Sequence, residues 1–557
     1  MKEKILKHRN LIDILIILFV SCLICIPLLK DNLNVYYDDG VQHIARAIGT
    51  ADSIKESKFI PNVISSFSNS YGYSWNLFYG PLSAYAIVLI NTLAKNYIVS
   101  YKIVCFICMF LSGFFMYKTL KEITKNKDAA VLASILYMSF PYHLTDLYTR
   151  NALGEYMSFI FIPLVFLGLY NLFYGEERKH YYIAIGASGL ILTHNLSTIM
   201  VAVFALCYVI FYLEKLNNPK IKKGLIINII FILLLTSFYW MPLVQTMFSA
   251  QYQVYEDGMM STSEQTAGHG LKIKQLFVTM NDGSYVFELG PHILIMLGLS
   301  VMAFRLVDPE VREQYSFFLI FGLITLWMST KYFPWKFLPD MFSMIQFPWR
   351  MLMLSAFFLS AVCAINMNTI IKKFNIKDVL VISTISILYI LAFYNTVTNF
   401  DENRIADIEN VDKGYVSGRE YEVVAGMGKG EYLPTKAYKN RFYIASREQG
   451  IYVLEGKAVI ENEKKEGSHY TADIKTLDAE YTIFELPYIY YPGYEVRLDG
   501  VLVESFETEN GFLGFAVGSN DTNDLEVSYT GTTMMNISLL LSFVSFIGFG
   551  IYIYKKR

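Results

Sequence analysis

Apolar residues run in long blocks along most of the 557-residue chain, with short polar breaks between them. A helix that crosses a bilayer needs about 20 mostly apolar residues, within a range of roughly 17–25. On that measure, spans fall near 11–29, 98–117, 128–142, 155–174, 181–196, 198–213, 224–246, 291–306, 315–330, 351–369, 378–396 and 534–554. The stretch "PLSAYAIVLINTLA", 81–94, is apolar but shorter than a span, and reads as a helix lying on the outer interface. The first span has no small-residue cleavage site after it and reads as a retained anchor.

Between about 397 and 532 the pattern changes. Runs such as "YTADIKTL", "GYEVRLDG" and "LEVSYTG" alternate with a period of two and are bounded by Gly, Asp and Asn, which is the strand signal. The expected fold class is therefore an α-helical polytopic membrane protein of about twelve spans, with a C-terminal all-β domain and a final membrane helix. Its parts would be a multi-span domain over 1–396, holding a first external loop at 30–97, a β-sandwich-like domain over 397–532, and a membrane helix with its tail over 533–557.

Charge orients these spans. If 81–94 does not cross, then "KTLKEITKNKD", "EERKH", "EKLNNPKIKKG", the Arg305–Arg312 loop, "IKKFNIKD" and the basic ends "MKEKILKHR" and "YKKR" all fall on one side. That side is cytoplasmic by the positive-inside bias, and both termini lie there. The loops 30–97, 143–154 and 247–290 and the β-domain then lie outside. Composition agrees, with 54% hydrophobic and only 17% charged residues and a mean hydropathy of +0.36. A net charge of −2 gives no electrostatic case for nucleic acid. The six cysteines lie inside apolar runs and form neither a disulfide framework nor a zinc cage.

In this topology, polar residues gather at the outer ends of spans. Asp38, Asp39, His43 and Arg46 follow the first span, and Asp39, His43 and Arg46 share a face if "DGVQHIARAI" is helical. His143, Asp146, Arg150 and Glu155 fill "YHLTDLYTRNALGEY"; His194 and Asn195 close another span in "LTHNLS"; Gln346 and Arg350 open a later one in "QFPWR". Each also has an ordinary reading: Asp39 as a helix N-cap, Asp146 with Arg150 as an i, i+4 ion pair, His194 as a satisfied helix-end residue, Arg350 as an interfacial snorkeller. Set against these is the position of three arginines on the outer side, against the topological bias and beside carboxylates. That set suits an anionic ligand held next to a general base.

A sugar carried on a lipid phosphate would use such a site. The lipid tail arrives from the bilayer, the phosphate leaves and wants arginine or a divalent cation, and the acceptor hydroxyl needs a carboxylate to take its proton. By composition Arg150 and Arg350 would bind the phosphate. The C-terminal domain would hold the acceptor or serve as a spacer, and its tyrosines Tyr488, Tyr490, Tyr491 and Tyr494 fit a strand core better than a sugar platform.

The acidic first external loop, the interfacial apolar helix after it and the dozen spans resemble the GT-C class of membrane glycosyltransferases. More narrowly, "YYDDGVQHIAR", "SFPYHLTDLYTRNALGEYMSFIFIPLVFLGLY", "LTHNLS", "QFPWR" and "LPYIYYPGYEVRLDG" resemble bacterial YfhO-like proteins and the related membrane proteins described as 6-pyruvoyl-tetrahydropterin-synthase-related. Nothing in the residues suggests pterin chemistry. The resemblance implies that the acidic residue of the first external loop, Asp38 or Asp39, is the catalytic base or a metal ligand. It implies a polyprenyl-phosphate sugar donor, single-displacement inverting transfer, and a cell-surface glycopolymer such as teichoic acid or a glycolipid as acceptor, at the bacterial plasma membrane. Two other readings stand beside it: a transporter or flippase of a lipid-linked saccharide, and a non-catalytic envelope-assembly protein. A flippase wants ionisable residues at mid-depth and often an internal repeat, and the sequence shows neither. In an assembly protein Asp38 and Asp39 would tolerate substitution.

Overall fold

A computed structural model describes residues 9–29, 39–56, 60–256, 261–277, 287–374, 430–477, 481–518 and 522–556. Asp38 and the expected span 378–396 lie outside these residues. The order of the main helices is α1 Arg9–Cys25, α2 Gly40–Lys55, α3 Leu82–Ala94, α4 Tyr97–Thr124, α5 Lys127–Met138, α6 Pro141–Tyr148, α7 Leu153–Ser158, α8 Ile162–Phe173, α9 Tyr182–Ile191, α10 Asn195–Phe211, α11 Pro219–Leu235, α12 Ser237–Met247, α13 Gly290–Gly298, α14 Pro309–Met328, α15 Leu352–Phe374 and α16 Thr533–Lys556.

Five described stretches are long and apolar enough to cross a bilayer: Arg9–Leu29, Tyr97–Thr124, Leu153–Phe173, Pro348–Phe374 and Thr533–Lys556; α11 and α12 make a sixth if the bent pair is one span. Leu82–Ala94 and Asn195–Phe211 are shorter apolar helices, and the expected span 315–330 lies within the 20-residue α14. The expected span 155–174 is the apolar stretch Leu153–Phe173, in which a short turn joins α7 to α8 and Pro163 sits in the first turn of α8. Among the described residues one expected span, 224–246, is sharply bent. α11 and α12 meet at 69°. The backbone N–H of Phe238, in the first turn of α12, donates to Ser542 Oγ of α16 at 3.0 Å, and Ser237 Oγ lies 2.7 Å from the same hydroxyl. Serines of the last helix thus satisfy polar groups that the bend frees.

Asparagines cap the starts of α4, α5 and α11, the last through Asn218, which accepts from the Lys220 N–H. The side chain of Asn96 accepts from the N–H of Val99, and that of Asn126 from Ala129, as N-caps do. α1 carries a fully buried Asp13, which accepts from Arg9 Nε at 2.8 Å and from Tyr117 Oη of α4 at 2.9 Å. A carboxylate in an apolar helix is tolerated because both partners come with it. α3 is the 13-residue helix expected at 81–94, with Leu89 and Leu93 exposed. It packs on α2 and α4.

The C-terminal strands are β1 Tyr452–Glu455, β2 Ala458–Glu466, β3 His469–Thr476, β4 Tyr481–Ile489, β5 Tyr494–Leu498, β6 Val501–Val503, β7 Ser505–Glu507, β8 Phe512–Gly518 and β9 Thr522–Tyr529. They form antiparallel sheets of order β1-β4-β8-β7 and β2-β3-β9-β5-β6. Alternate residues of β3, β5 and β9 are buried, as the period-two pattern requires. Tyr488, Tyr491 and Tyr494 are core residues, and Tyr490 packs against that core.

That core is not the property of the β-domain alone. Val63, Ile64, Tyr71, Tyr73, Trp75, Leu77 and Phe78 of the first loop and Tyr252 pack into the same cluster as Phe484, Leu486, Phe515 and Val527. Backbone bonds seal the union: Ile489 N–H to the Tyr71 carbonyl at 2.8 Å, Gln253 N–H to Leu433, and Val254 N–H to Glu431. The first loop and the β-domain fold as one body at one end of the helices.

Candidate functional site

α2 is amphipathic, and its buried face carries His43, Ile44, Arg46, Ala47 and Thr50. Asp39 occupies its N-cap position, yet the carboxylate makes no capping hydrogen bond to the helix. Instead the Asp39 backbone N–H donates to the Arg150 carbonyl at 3.2 Å, so the start of α2 rests on the loop between α6 and α7.

Arg46 is 1% exposed. Its Nε donates to Asn76 Oδ1 at 2.8 Å, and Nη2 donates to the carbonyls of Tyr79 and Gly80 at 2.7 and 3.0 Å. Its Nη1 is buried and makes no hydrogen bond. Among the described residues its nitrogens form no ion pair with a carboxylate. The guanidinium lies over the Tyr79 ring, 4.9 Å from its centroid. Burial pushes Arg46 down to about 10, which leaves it charged at neutral pH. His43 sits edge-on to the same ring at 5.9 Å. Burial, with Arg46 and His194 adding to it, pushes His43 down to about 3, so it is neutral.

Tyr79 is the hub. Its ring meets His43, Arg46 and, at 5.8 Å, His194. The segment after it docks on the turn between α9 and α10: Leu82 N–H donates to Leu192 at 2.8 Å, and a β-carbon on Gly80 would lie 2.6 Å from the Leu192 backbone. Only glycine permits that approach. His194 caps α10, its Nδ1 accepting from the Ser197 N–H at 3.3 Å, with Ser197 Oγ at 2.7 Å. Asn195 donates to the Phe78 carbonyl and accepts from Tyr239 Oη, each at 2.9 Å, and so ties α10 to the first loop and to α12.

A second node adjoins the first. Arg150 Nη1 reaches Asp146 Oδ1 at 2.6 Å, Glu155 Oε2 at 2.9 Å and Tyr142 Oη at 2.9 Å. Tyr142 donates to Glu155 Oε1 at 2.6 Å. Arg350 Nε lies 3.3 Å from Glu155 Oε2, while Arg350 Nη1 donates to Gln346 Oε1 and to the Ile345 carbonyl at 3.0 Å each. Glu155 thus stands between two arginines from distant parts of the chain. All four charged groups are buried. Burial pushes the Asp146 carboxyl well above its ordinary range, Glu155 adding to the effect and Arg150 opposing it.

The sequence-predicted residues therefore divide. Asp39, His43, Arg46, Asp146, Arg150, Glu155, His194, Gln346 and Arg350 are brought into two adjoining nodes, and Asn195 braces them. His143 is not brought in. Its ring stacks on Phe159 at 3.9 Å, with Tyr137 and Tyr156 beside it, and its Nδ1 faces the Tyr137 carbonyl at 3.2 Å. It is a core histidine in an aromatic pocket. Asp146 with Arg150 and His194 as a cap also fulfil the ordinary readings of those residues.

Sequence reasoning missed Tyr79, Asn76, Tyr142, Tyr239 and Gly154. The signals available were the Tyr-Gly-Pro step of "NLFYGPLS" and the glycine before Glu155 in "ALGEY". Among the described residues no three His, Cys, Asp or Glu side chains gather as a metal ion requires. Asp146 and Glu155 are engaged by arginine, so the described residues do not fit a divalent cation.

The family model described as "6-pyruvoyl-tetrahydropterin synthase related domain; membrane protein" matches residues 77–400. An uncharacterized protein of Lactococcus lactis subsp. cremoris is 27% identical over 346 residues, covering 59% of this chain and 55% of its own; the chain thus spans about half the length of that relative. Among solved structures, the arabinofuranosyltransferase AftD from Mycobacteria is 13% identical with a TM-score of 0.43, over 74% of this chain and 27% of that one. The oligosaccharyltransferase AglB from Archaeoglobus fulgidus, in complex with an inhibitory peptide and a dolichol-phosphate, is 11% identical with a TM-score of 0.40, over 74% and 60%. At these scores no shared fold follows.

Proposed function

This chain belongs to the 6-pyruvoyl-tetrahydropterin synthase related family of membrane proteins, and we propose that it transfers a sugar from a polyprenyl-phosphate donor to an extracytoplasmic envelope acceptor, a glycopolymer or a glycolipid. The observation that carries this reading is Arg46: a buried guanidinium with an unpartnered Nη1, about two turns along the helix whose N-cap position is Asp39, in a helical membrane protein. A buried cation without a carboxylate partner is costly and wants an anion.

In this reading the protein is multi-pass in the bacterial plasma membrane, with both termini cytoplasmic and the site and β-domain outside. The acceptor hydroxyl attacks the anomeric carbon and inverts it. Its proton passes to the carboxylate of Asp39, with Asp38 the alternative base. The bond from the anomeric carbon to the phosphate oxygen breaks, its electron pair stays on that oxygen, and Arg46 Nη1 receives the charge. We assign the phosphate to Arg46 before Arg150 and Arg350, whose charges face Glu155 and Asp146. Those two arginines hold the frame on which α2 starts. His43, neutral, lets Arg46 keep its positive character without a second cation beside it.

The test uses purified protein in lipid with a labelled polyprenyl-phosphate sugar, and the variants Asp38→Asn, Asp39→Asn and Arg46→Gln. Transfer should fall by at least two orders of magnitude in one aspartate variant, in line with the loss of a general base. Transfer that survives both aspartate changes overturns the reading. Movement of intact donor across the bilayer without transfer would replace it with a flippase.

A further inference from the structure

α2 is held at both ends. Its start rests on Arg150 through the Asp39 N–H. Its far end, about 24 Å away at 1.5 Å per residue, closes on Glu56, the C-cap residue. Glu56 does not look to the helix bundle. Its Oε1 accepts from Ser65 Oγ at 2.6 Å, and its Oε2 accepts from the backbone N–H of Ser468 at 3.1 Å. Ser468 belongs to the two-residue turn between β2 and β3, more than 400 positions away.

The turn is shaped for this carboxylate. Gly467 has φ +58°, and a β-carbon there would lie 2.1 Å from Glu56 Oε1. Glycine is required twice, for the conformation and for the room. The hairpin beneath is pinned: Tyr488 Oη donates to the Gly467 carbonyl at 3.0 Å, and Lys465 Nζ donates to the carbonyls of Ser70 and Pro487 at 2.6 and 2.9 Å. Lys465 also lies over the rings of Tyr71 and Tyr488. Other bonds between the β-domain and the first loop fix the loop; this one grips the end of the helix that carries Asp39, His43 and Arg46.

We infer that Glu56 is a positioning residue, and that the β2–β3 turn is a strut through which the C-terminal domain sets where α2 stands in the site. A helix is stiff over four turns, so a displacement at Glu56 is felt at Arg46 and His43. The domain then acts on the site through its seat on Glu56, whether or not it touches an acceptor. The consequence for transfer rests on the proposed function; the mechanical coupling does not.

The experiment takes the full chain in lipid nanodiscs with Glu56→Ala, Gly467→Ala and Glu56→Gln. Amide exchange is followed across 40–55, β3 and β9, alongside transfer of the labelled sugar. Glu56→Ala and Gly467→Ala should each speed exchange of 40–55 by about tenfold, the change expected from losing one hydrogen bond to a charged group, with β3 and β9 unchanged. Glu56→Gln keeps an acceptor and should restore the wild-type pattern. Transfer should fall with the exchange change and recover with it. Unchanged exchange over 40–55 in both disrupting variants overturns the strut, as does an equal rise in β3 and β9, which would report lost folding instead. A localised exchange change in a protein that transfers no sugar even as wild type would keep the strut and remove the transferase reading.

Discussion

Tyr79 and Gly154 meet so closely that a β-carbon at Gly154 would lie 2.2 Å from Tyr79 Oη. Through this contact the ring that touches His43, Arg46 and His194 also stands beside the residue preceding Glu155. Gly154→Ala should push Tyr79 out of its seat. Overpacking of this kind costs about 1–3 kcal/mol; the thermal unfolding midpoint should drop, and so should transfer. Pairing it with Tyr79→Phe removes the hydroxyl that collides and should recover part of the loss.

Arg46→Lys keeps a positive charge but loses the planar fork that spans Asn76, Tyr79 and Gly80. Affinity for labelled polyprenyl phosphate should fall by roughly 10–100-fold, the range of about 1.5–3 kcal/mol for hydrogen bonds to a charged group. Arg46→Gln should fall further. Equal binding by wild type and both variants would show that the anion sits elsewhere.

His43 supplies a pH dependence. Its folded value of about 3 lies below the ordinary one of about 6.5. Between these values the unfolded chain binds a proton that the folded chain refuses. The stability present above pH 6.5 is therefore lost as pH falls through that window, by up to about 1.4 kcal/mol per unit. The unfolding midpoint of the wild type should decline from pH 7.5 to pH 5 more steeply than that of His43→Gln.

In the β-domain, Arg447 and Glu485 form a buried pair at 2.5 Å; Thr508 and Asn510 also donate to Glu485, and Arg447 lies among the rings of Tyr71, Tyr452 and Phe512. Arg447→Leu leaves a buried carboxylate and should cost about 3 kcal/mol. Replacing both residues by leucine should cost less than the single change. Thermal unfolding of the three variants measures the difference.

Periodicity revealed what is local. The i, i+3 spacing put His43 and Arg46 on the buried face of one helix, and i, i+4 put Asp146 beside Arg150. The alternation of "GYEVRLDG" foretold β5 with its buried Tyr494, Val496 and Leu498. The sequence was silent where a contact depends on the far side of the chain. Nothing in "PNVISSFSNSYGYSWNLFYG" shows that its aromatics belong to the core of strands beyond position 450, because the stretch has no period and its partners lie elsewhere. His143 looked like its neighbours Asp146 and Arg150. Its place in the first turn after Pro141 aims it instead at the Tyr137 carbonyl and the face of Phe159. The expected span at 224–246 could not show its bend, because the serines that accommodate it come from the last helix.

The joint core of the first loop and the strands also imposes an order on biosynthesis. Tyr71, Tyr73, Trp75 and Phe78 leave the ribosome roughly 350 residues before Tyr432 and about 380–450 before the strands that cover them. At about 5–20 residues per second, that is a wait of roughly 20–90 s for the strands. Throughout it, a greasy patch stands uncovered beside a membrane still being threaded, and whatever shelters it must let go when the strands arrive.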